Sequence, residues 1–312
     1  MITGEKSARR TERRLSELEG RLRGLYEHTA DDMQKKADAF FKQFERLDAE
    51  KRKKVDAGKL DAEKYKEWRK NKILYSRRFS DFQKKTAHEL SRVNETALLY
   101  INGEVPPVYA DNCNDFGKSI SADADTKFDI GISFDLVDAD TVRILAAEND
   151  NLLPELPPEK MLDIPLDERW NRQNMRTELA KGILEGESIP DISARMRKVV
   201  GMNHTSAVRN ARTMVTAAQN GGRMEGMRRA EGMGIVLKRI WMSAEDGRVR
   251  KAHRELDGQT RSMDEAFENA IGKIMYPGDP HAHPSNVYNC RCTLGTEIVG
   301  FRDPVTGRVR RI

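Results

Sequence analysis

The first 105 residues contain no proline, and within them apolar side chains return every three or four positions. Leu15, Leu18, Leu22 and Leu25 are followed at the same interval by Met33, Ala37, Phe40, Phe41, Phe44 and Leu47. Such a stripe is buried efficiently only on one face of an α-helix, because a strand would scatter these residues over both of its faces. The pattern breaks at Asp56-Ala57-Gly58-Lys59-Leu60, and Asp61 then offers a carboxylate to the free N–H groups of a new helix. Glu63 falls in its first turn, where the helix dipole favours negative charge, while Lys64 at the third position leaves the capping box half made. This second helix carries Tyr65, Trp68, Tyr75, Phe79, Phe82, Leu90 and Val93 and is expected to end at Asn102-Gly103. The spacing predicts a long antiparallel helical hairpin over residues 1–104. Its first arm of about 45 residues would reach roughly 65–70 Å.

Beyond the hairpin the texture changes. Pro106-Pro107, Pro154 and Pro157-Pro158 break helices, and an irregular connector with short extended segments is expected over residues 105–168. Phe128, Ile130, Ile132 and Phe134 alternate with Asp129, Gly131 and Ser133, the period of a short strand or extended edge. Asp123, Asp125, Asp129, Asp135, Asp138 and Asp140 lack the fixed spacing and closing Glu of a calcium loop and read as a solvated connector. Helices resume over residues 169–231: one from Arg169 to Leu184, one opened by Ser188-Ile189-Pro190-Asp191, and one from Thr205 to Ala230 that Gly221-Gly222 should kink or shorten. Residues 232–300 mix both periods. Here the expectation is a strand at Ile235–Met242, a short helix at Arg248–Leu256, a turn at Asp257-Gly258, a helix at Asp264–Ile274 and a last strand at Cys290–Ile298. Residues 301–312 read as a basic tail. The expected fold class is α+β and mostly helical: a long N-terminal helical hairpin, further helices, and a small α+β C-terminal domain.

A chain of 312 residues suggests about two domains. With 38% hydrophobic and 34% charged residues, much of it must be solvated surface. The N-terminus, MITGEKSARRTERRLSE, has no apolar run for a signal peptide, and no segment reaches membrane-spanning length. A soluble protein without membrane contact is therefore expected. Three cysteines are too few for a disulfide scaffold and suit a reducing cytosol. A net charge of +5 admits a nucleic-acid partner without requiring one.

Chemistry concentrates between Trp241 and Leu294. Cys290 and Cys292 flank Arg291 there, and three of the six histidines, His253, His281 and His283, share the stretch. On a strand the two cysteines would face one side, within reach of His253. With His281 or His283 as a fourth ligand the set has the composition of a zinc site. The expectation favours the plainer account, in which both cysteines pack as small core groups and His253 bonds to Asp257 or a backbone carbonyl. No cofactor is assigned on that account, and zinc is the alternative. Cys113 reads as a small half-buried residue, Trp241 as a core anchor, and Gly258 as the supplier of a positive φ. A Cys–His nucleophile would need an oxyanion site that the sequence does not display. No phosphate-cradling glycine loop or paired-carboxylate motif is present.

The ordered set Trp241, Asp246-Gly247-Arg248-Val249-Arg250, His253, Leu256-Asp257-Gly258, Tyr276-Pro277-Gly278-Asp279-Pro280 and Asn289-Cys290-Arg291-Cys292 resembles the phage Mu protein F-like minor head proteins, the phage head morphogenesis family. A weaker likeness runs upstream through Gly182-Ile183-Leu184-Glu185-Gly186-Glu187-Ser188 and Ala211-Arg212-Thr213. The resemblance implies a structural or docking role for Trp241, Arg248, Arg250, His253, Asp257, Gly258, Asn289 and Arg291. It implies a minor capsid protein of a tailed phage or prophage, made in the host cytoplasm and carried in the virion, inside the head near the portal vertex. The partners implied are the portal protein and the major capsid or scaffold protein, with a part in DNA packaging or ejection. For double-stranded DNA the candidate residues are Arg9, Arg10, Arg13, Arg14, Arg209 and Arg212, although a solvated helix face explains the same charges. The family also occurs fused to bacterial toxins; with Arg310-Arg311-Ile312 ending this sequence, no toxin domain is expected. The expectation is a non-enzyme, against the alternative of a metal-dependent or cysteine hydrolase acting in phage maturation or DNA entry.

Overall fold

The leucines and phenylalanines of the first stripe all lie on one helix, α1 (Glu5–Asp56), in the computed structural model, which describes residues 1–129, 131–149, 152–153, 164–244, 246–303 and 306–311. Helix α2 (Ala62–Arg69) follows, capped as its sequence demands: Asp61 Oδ1 accepts from the N–H groups of Glu63 (3.0 Å) and Lys64 (3.1 Å). The second predicted helix is in fact two. A π-helical turn (Lys70–Leu74) ends α2, and Ser76, whose Oγ accepts from the Phe79 N–H at 3.1 Å, starts α3 (Arg77–Phe128). The break follows Arg69, which is fully buried. Its guanidinium grips Asp48 with two bonds (2.7 and 2.9 Å) and donates to the carbonyls of Ile183 and Glu187, a position a continuous helix need not reach.

Helix α3 does not stop at Asn102-Gly103 but runs through Pro106-Pro107. In a free helix each proline would cost about 3 kcal/mol. Here Ile101, Val105, Val108, Tyr109, Cys113, Phe116 and Ile120 are all buried around the prolines, and that burial outweighs the local loss. The expected irregular connector is therefore helical as far as Phe128, and Cys113 is fully rather than half buried. The alternating segment after it forms no strand among its described residues. Instead it lies back along α3: Ser121 Oγ donates to the Ile132 carbonyl, Asn114 exchanges two bonds with the backbone of Val137 (2.7 and 2.9 Å), and Phe134 sits on Gly117. Ile130 and the prolines 154, 157 and 158 lie outside the described residues.

Helices α4 (Ala139–Glu148), α5 (Ile164–Glu185), α6 (Ile189–Ala194) and α7 (Met196–Gly232) complete the helical part. Ser188 caps α6 as expected, its Oγ accepting from the Asp191 N–H. The antiparallel strands β1 (Ile235–Met242), β2 (Thr260–Ser262), β5 (Thr293–Arg302) and β6 (Val309–Arg311) form a sheet in the order β2-β1-β5-β6, and β3 (Phe267–Asn269) pairs with β4 (Gly272–Ile274). Short helices α8 (Lys251–Arg254) and α9 (Pro284–Val287) sit in the connections. Four expectations change here. The helix foreseen at Asp264–Ile274 is the β3–β4 hairpin, because Phe267 and Ile274 bury as a cross-strand pair while Asn269 Oδ1 accepts from the turn N–H groups of Ile271 and Gly272. The last strand begins at Thr293 rather than Cys290, and the foreseen basic tail contributes β6. The helix foreseen at Arg248–Leu256 shrinks to α8.

The chain forms two compact units: Gly20–Leu98 with Pro157–Val208, and Met1–Glu19 with Leu99–Leu156 and Arg209–Ile312. In the first, α1 and α3 are antiparallel, since Tyr26 meets Asn94, Lys36 meets Glu89 and Phe40 stacks on Phe82 at 4.7 Å. In the second, the sheet and the start of α1 are joined by Arg223, fully buried, which donates to the carbonyls of Thr3, Gly4 and Leu294 and to Asn112 Oδ1. Burial holds this guanidinium below its ordinary range, at about 10, so its carbonyl partners are what keep the charge tolerable. Gly221-Gly222 do not shorten α7, which passes through them to Gly232. A Cβ on Gly222 would lie 2.2 Å from the Tyr109 carbonyl oxygen, and one on Gly226 2.9 Å from that of Cys113. The glycines permit contact between helix backbones, an option that helix propensity alone cannot reveal.

Candidate functional site

The site is built on one face of α7. Thr213, Thr216 and Asn220 recur three and four residues apart, so their side chains line one stripe. That stripe holds the segment before β5: the Asn289 N–H donates to Thr213 Oγ1 (2.9 Å), Thr216 Oγ1 to the Cys290 carbonyl (2.8 Å) and Asn220 Nδ2 to the Cys292 carbonyl (3.2 Å). Asn220 Oδ1 also accepts from the Leu294 N–H at 2.9 Å. Asn289 takes a positive φ of 56°, a conformation Asn tolerates better than most residues. The sequence alone does not mark Thr216 and Asn220 as part of a site, and Thr213 enters only through the weaker upstream likeness. Their polar stripe is readable, but what it grips is not.

With the backbone so held, Cys290 and Cys292 turn their sulfurs toward His253, which is 1% exposed. His253 Nδ1 lies 3.4 Å from Cys290 Sγ and 3.5 Å from Cys292 Sγ. All three cysteines of the chain are free thiols. The expected bond from His253 to Asp257 is not formed: Asp257 Oδ1 instead accepts from the Ser243 N–H at 2.7 Å, while His253 Nε2 is buried without a partner. The two sulfurs ionise unequally. Cys292 is held below the ordinary thiol range by hydrogen bonding from Cys290 and then from His253, and Cys290 is pushed up by that same contact and by burial. The Trp241 indole N–H also favours the Cys292 thiolate, through proximity rather than a bond of ordinary length.

The remaining motif residues frame this cluster. Trp241 is fully buried, edge-on to His253 (5.4 Å between ring centres) and Phe267 (5.3 Å). Arg250 donates to the carbonyls of Ser285 and Tyr288, and Arg291 pairs with Asp246. That pair lowers the Asp246 carboxyl, with the Arg248 N–H as the second cause. Gly258 turns with φ 72° and donates its N–H to the Trp241 carbonyl. A cavity of about 70 Å³ adjoins the cluster, lined by Arg248, Val249, Arg250, Asn289 and Arg291 together with the three sulfur and imidazole side chains.

His281 and His283 are not brought to the sulfurs. His281 is largely exposed beside Asp279, 3.3 Å away, and His283 caps α9 by accepting from the Ser285 N–H at 3.2 Å. Among the described residues, His253, Cys290 and Cys292 alone converge as a potential metal-holding group, their ligand atoms within 4.8 Å of one another. The arginines nominated for DNA are largely engaged. Arg10 faces Asp111 and Asp115, Arg14 faces Glu104, and Arg212 faces Glu19, while Arg9 and Arg13 have partners one turn away in Glu5 and Glu17. Arg209 is exposed.

Comparison with known proteins coincides with this geometry. Residues 173–295 match the family described as Phage Mu protein F like protein, a span that takes in α7, both short helices and the Cys/His cluster. Residues 173–295 are thus similar to the Phage Mu F-like family. Minor head protein GP7 of Bacillus phage SPP1 is 32% identical over 164 residues, 52% of this chain and 51% of that protein. An NAD(+)–arginine ADP-ribosyltransferase, EFV, of Enterococcus faecalis (strain ATCC 700802 / V583) is 30% identical over 133 residues, 41% of this chain and 26% of that protein. The chain thus spans about half the length of the first relative and about a quarter of the second. No solved structure matches. Among the described residues no helix is long and apolar enough to cross a membrane.

Proposed function

We propose that this protein is a structural minor component of a tailed-phage or prophage head, acting in head assembly near the portal and travelling in the virion. The carrying observation is its similarity over 164 residues to a phage minor head protein, alongside the Phage Mu F-like segment at 173–295. The motif residues support a docking module in a physical sense. Arg250, Asp257 and Gly258 bind backbone and Asn289 gives its own N–H to the Thr213 hydroxyl, so they fix loop shape, while Arg248 and Arg291 line the adjoining cavity. The partners proposed are the portal protein and the major capsid or scaffold protein. Co-expression with each, followed by pull-down, tests this; retention by either is expected. Association with neither, together with turnover of a substrate, would overturn the reading.

DNA contact has less geometric support, since most of the nominated arginines already face carboxylates. If it occurs, binding should be sequence-independent and weaken with rising salt, the logarithmic slope steepening by about one unit for each phosphate neutralised. The second reading is a cysteine or metal-dependent hydrolase, and what favours it is the Cys292–His253 contact. Cleavage assays on phage and host proteins, repeated with Cys292→Ala, separate the two. ADP-ribosyl transfer stays with the relative named for it, of which only 26% is matched.

A further inference from the structure

The cluster at the end of α8 is poorly explained by protein chemistry alone. A thiol is a weak hydrogen-bond donor, and one imidazole nitrogen has a single proton or a single lone pair to offer. Here one such nitrogen, His253 Nδ1, faces two sulfurs at nearly equal distance, 3.4 and 3.5 Å. His253 is 1% exposed, and its other nitrogen has no partner. A buried polar side chain aimed between two thiols, with nothing else to satisfy it, points to something bound between them.

The dimensions suit one occupant. A tetrahedral zinc ion, with Zn–S of about 2.3 Å and Zn–N of about 2.0–2.1 Å, sets N···S edges of about 3.6 Å and an S···S edge of about 3.8 Å. The observed N···S separations fit those edges with the side chains as they stand, and no donor atom lies more than 4.8 Å from another. The donors are also anchored separately. Thr216 and Asn220 fix the carbonyls of Cys290 and Cys292, while Asn269 Nδ2 fixes the Ala252 carbonyl next to His253 at 3.2 Å. Such prior fixing of ligand orientation is what a metal site requires of its surroundings.

We propose that His253 Nδ1 and the thiolates of Cys290 and Cys292 bind one zinc ion, tying α8 to the start of β5, and that its fourth position opens into the adjoining cavity and carries water or a small anion. The cavity of about 70 Å³ has room for that ligand, and Arg248, Arg250 and Arg291 on its wall favour an anionic one. Neither His281 nor His283 completes the site, because each is held elsewhere. Binding displaces the thiol protons into solvent, so uptake weakens as pH falls. This holds whether or not the protein docks at a portal.

The test uses the full chain, purified under reducing conditions and equilibrated with zinc, then freed of loose metal. Elemental analysis should find one zinc per chain. Exchange with cobalt(II) should give thiolate-to-cobalt absorption in the near ultraviolet and strong visible bands of tetrahedral cobalt. Cys290→Ser, Cys292→Ser and His253→Ala should each lose at least tenfold in zinc affinity, whereas His281→Ala and His283→Ala should retain the full equivalent. The cobalt spectrum of the unaltered chain stands as an independent reading that does not require any cluster variant to fold. A chain that folds, takes up no zinc and shows no cobalt–thiolate band would overturn the proposal. So would a Cys290–Cys292 disulfide in the protein purified without oxidant, or full zinc retention by the double cysteine variant.

Discussion

Two buried polar clusters, one in each compact unit, differ in how completely they are satisfied. In the unit containing Gly20–Leu98, Asn94 accepts from the Tyr26 hydroxyl (2.7 Å) and donates to Asp167 (2.8 Å) and Asn203 (2.7 Å), while Asn171 joins Asp167, Asn203 and Ser91. Oxygen and amide partners close this network. Burial, with the Asp167 charge as a second cause, pushes the Tyr26 hydroxyl well above its ordinary range, so it remains a donor. In the unit containing Arg209–Ile312, the His253 cluster has soft donors, one shared nitrogen and an unpartnered Nε2. A closed network fixes a fold by itself. An open one with two thiols and an imidazole is where we place the proposed zinc ion.

The largest expected effect comes from opening the closed network. Asn94→Leu strips Tyr26, Asn203 and the buried Asp167 of a partner, and should cost about 3–5 kcal/mol by denaturant titration, with zinc content unchanged. A cost below about 1 kcal/mol would mean the network is decoration rather than structure. Gly222→Ala should come next. It forces a methyl against the Tyr109 carbonyl and should cost about 1–3 kcal/mol through separation of α3 and α7, again without touching the proposed metal ligands. Cys290→Ala sharpens the comparison most directly. In metal-free protein it deletes one small buried group, at about 1–2 kcal/mol, and the parent should melt higher with zinc than with chelator while the variant shows no difference.

The smallest effect is expected at the rim. Asp246 is exposed and its carboxyl is held below the ordinary value of 3.8, first by Arg291. A carboxyl lowered on folding stabilises fully above its unfolded value and loses that contribution as pH falls through the folded one. Asp246→Asn should therefore lower Tm slightly at neutral pH, and the two proteins should converge in strong acid. A gap that widens on acidification would show that the Arg291 pair is not the cause.

Some of this was legible because it depends on neighbours in the chain. The α1 stripe, the caps at Asp61 and Ser188, strand β1, and the turn at Gly258 each follow from spacing or from one residue's φ preference. The candidate site was half legible: Cys290, Cys292 and His253 read as one cluster and form one, whereas the two histidines of the proline-rich loop lie apart from it. Composition puts those histidines close in sequence, but the Asp279 turn and the α9 cap hold each of them to its own loop.

What the sequence determined by itself, then, is which segments are helical or extended wherever local propensity and burial pattern agree, and which residue types gather near the C-terminus. Only the tertiary structure decided the rest. It carried α3 through two prolines because buried neighbours outweigh a local cost, and it made a hairpin of Asp264–Ile274 because Phe267 and Ile274 bury best across from one another. It also let Thr213, Thr216 and Asn220, over seventy residues earlier in the chain, set the direction of two thiols. The physical reason is common to all three. Local preferences are worth at most a few kcal/mol at one position, whereas burial and the pairing of buried polar groups act through neighbours that only the folded chain supplies.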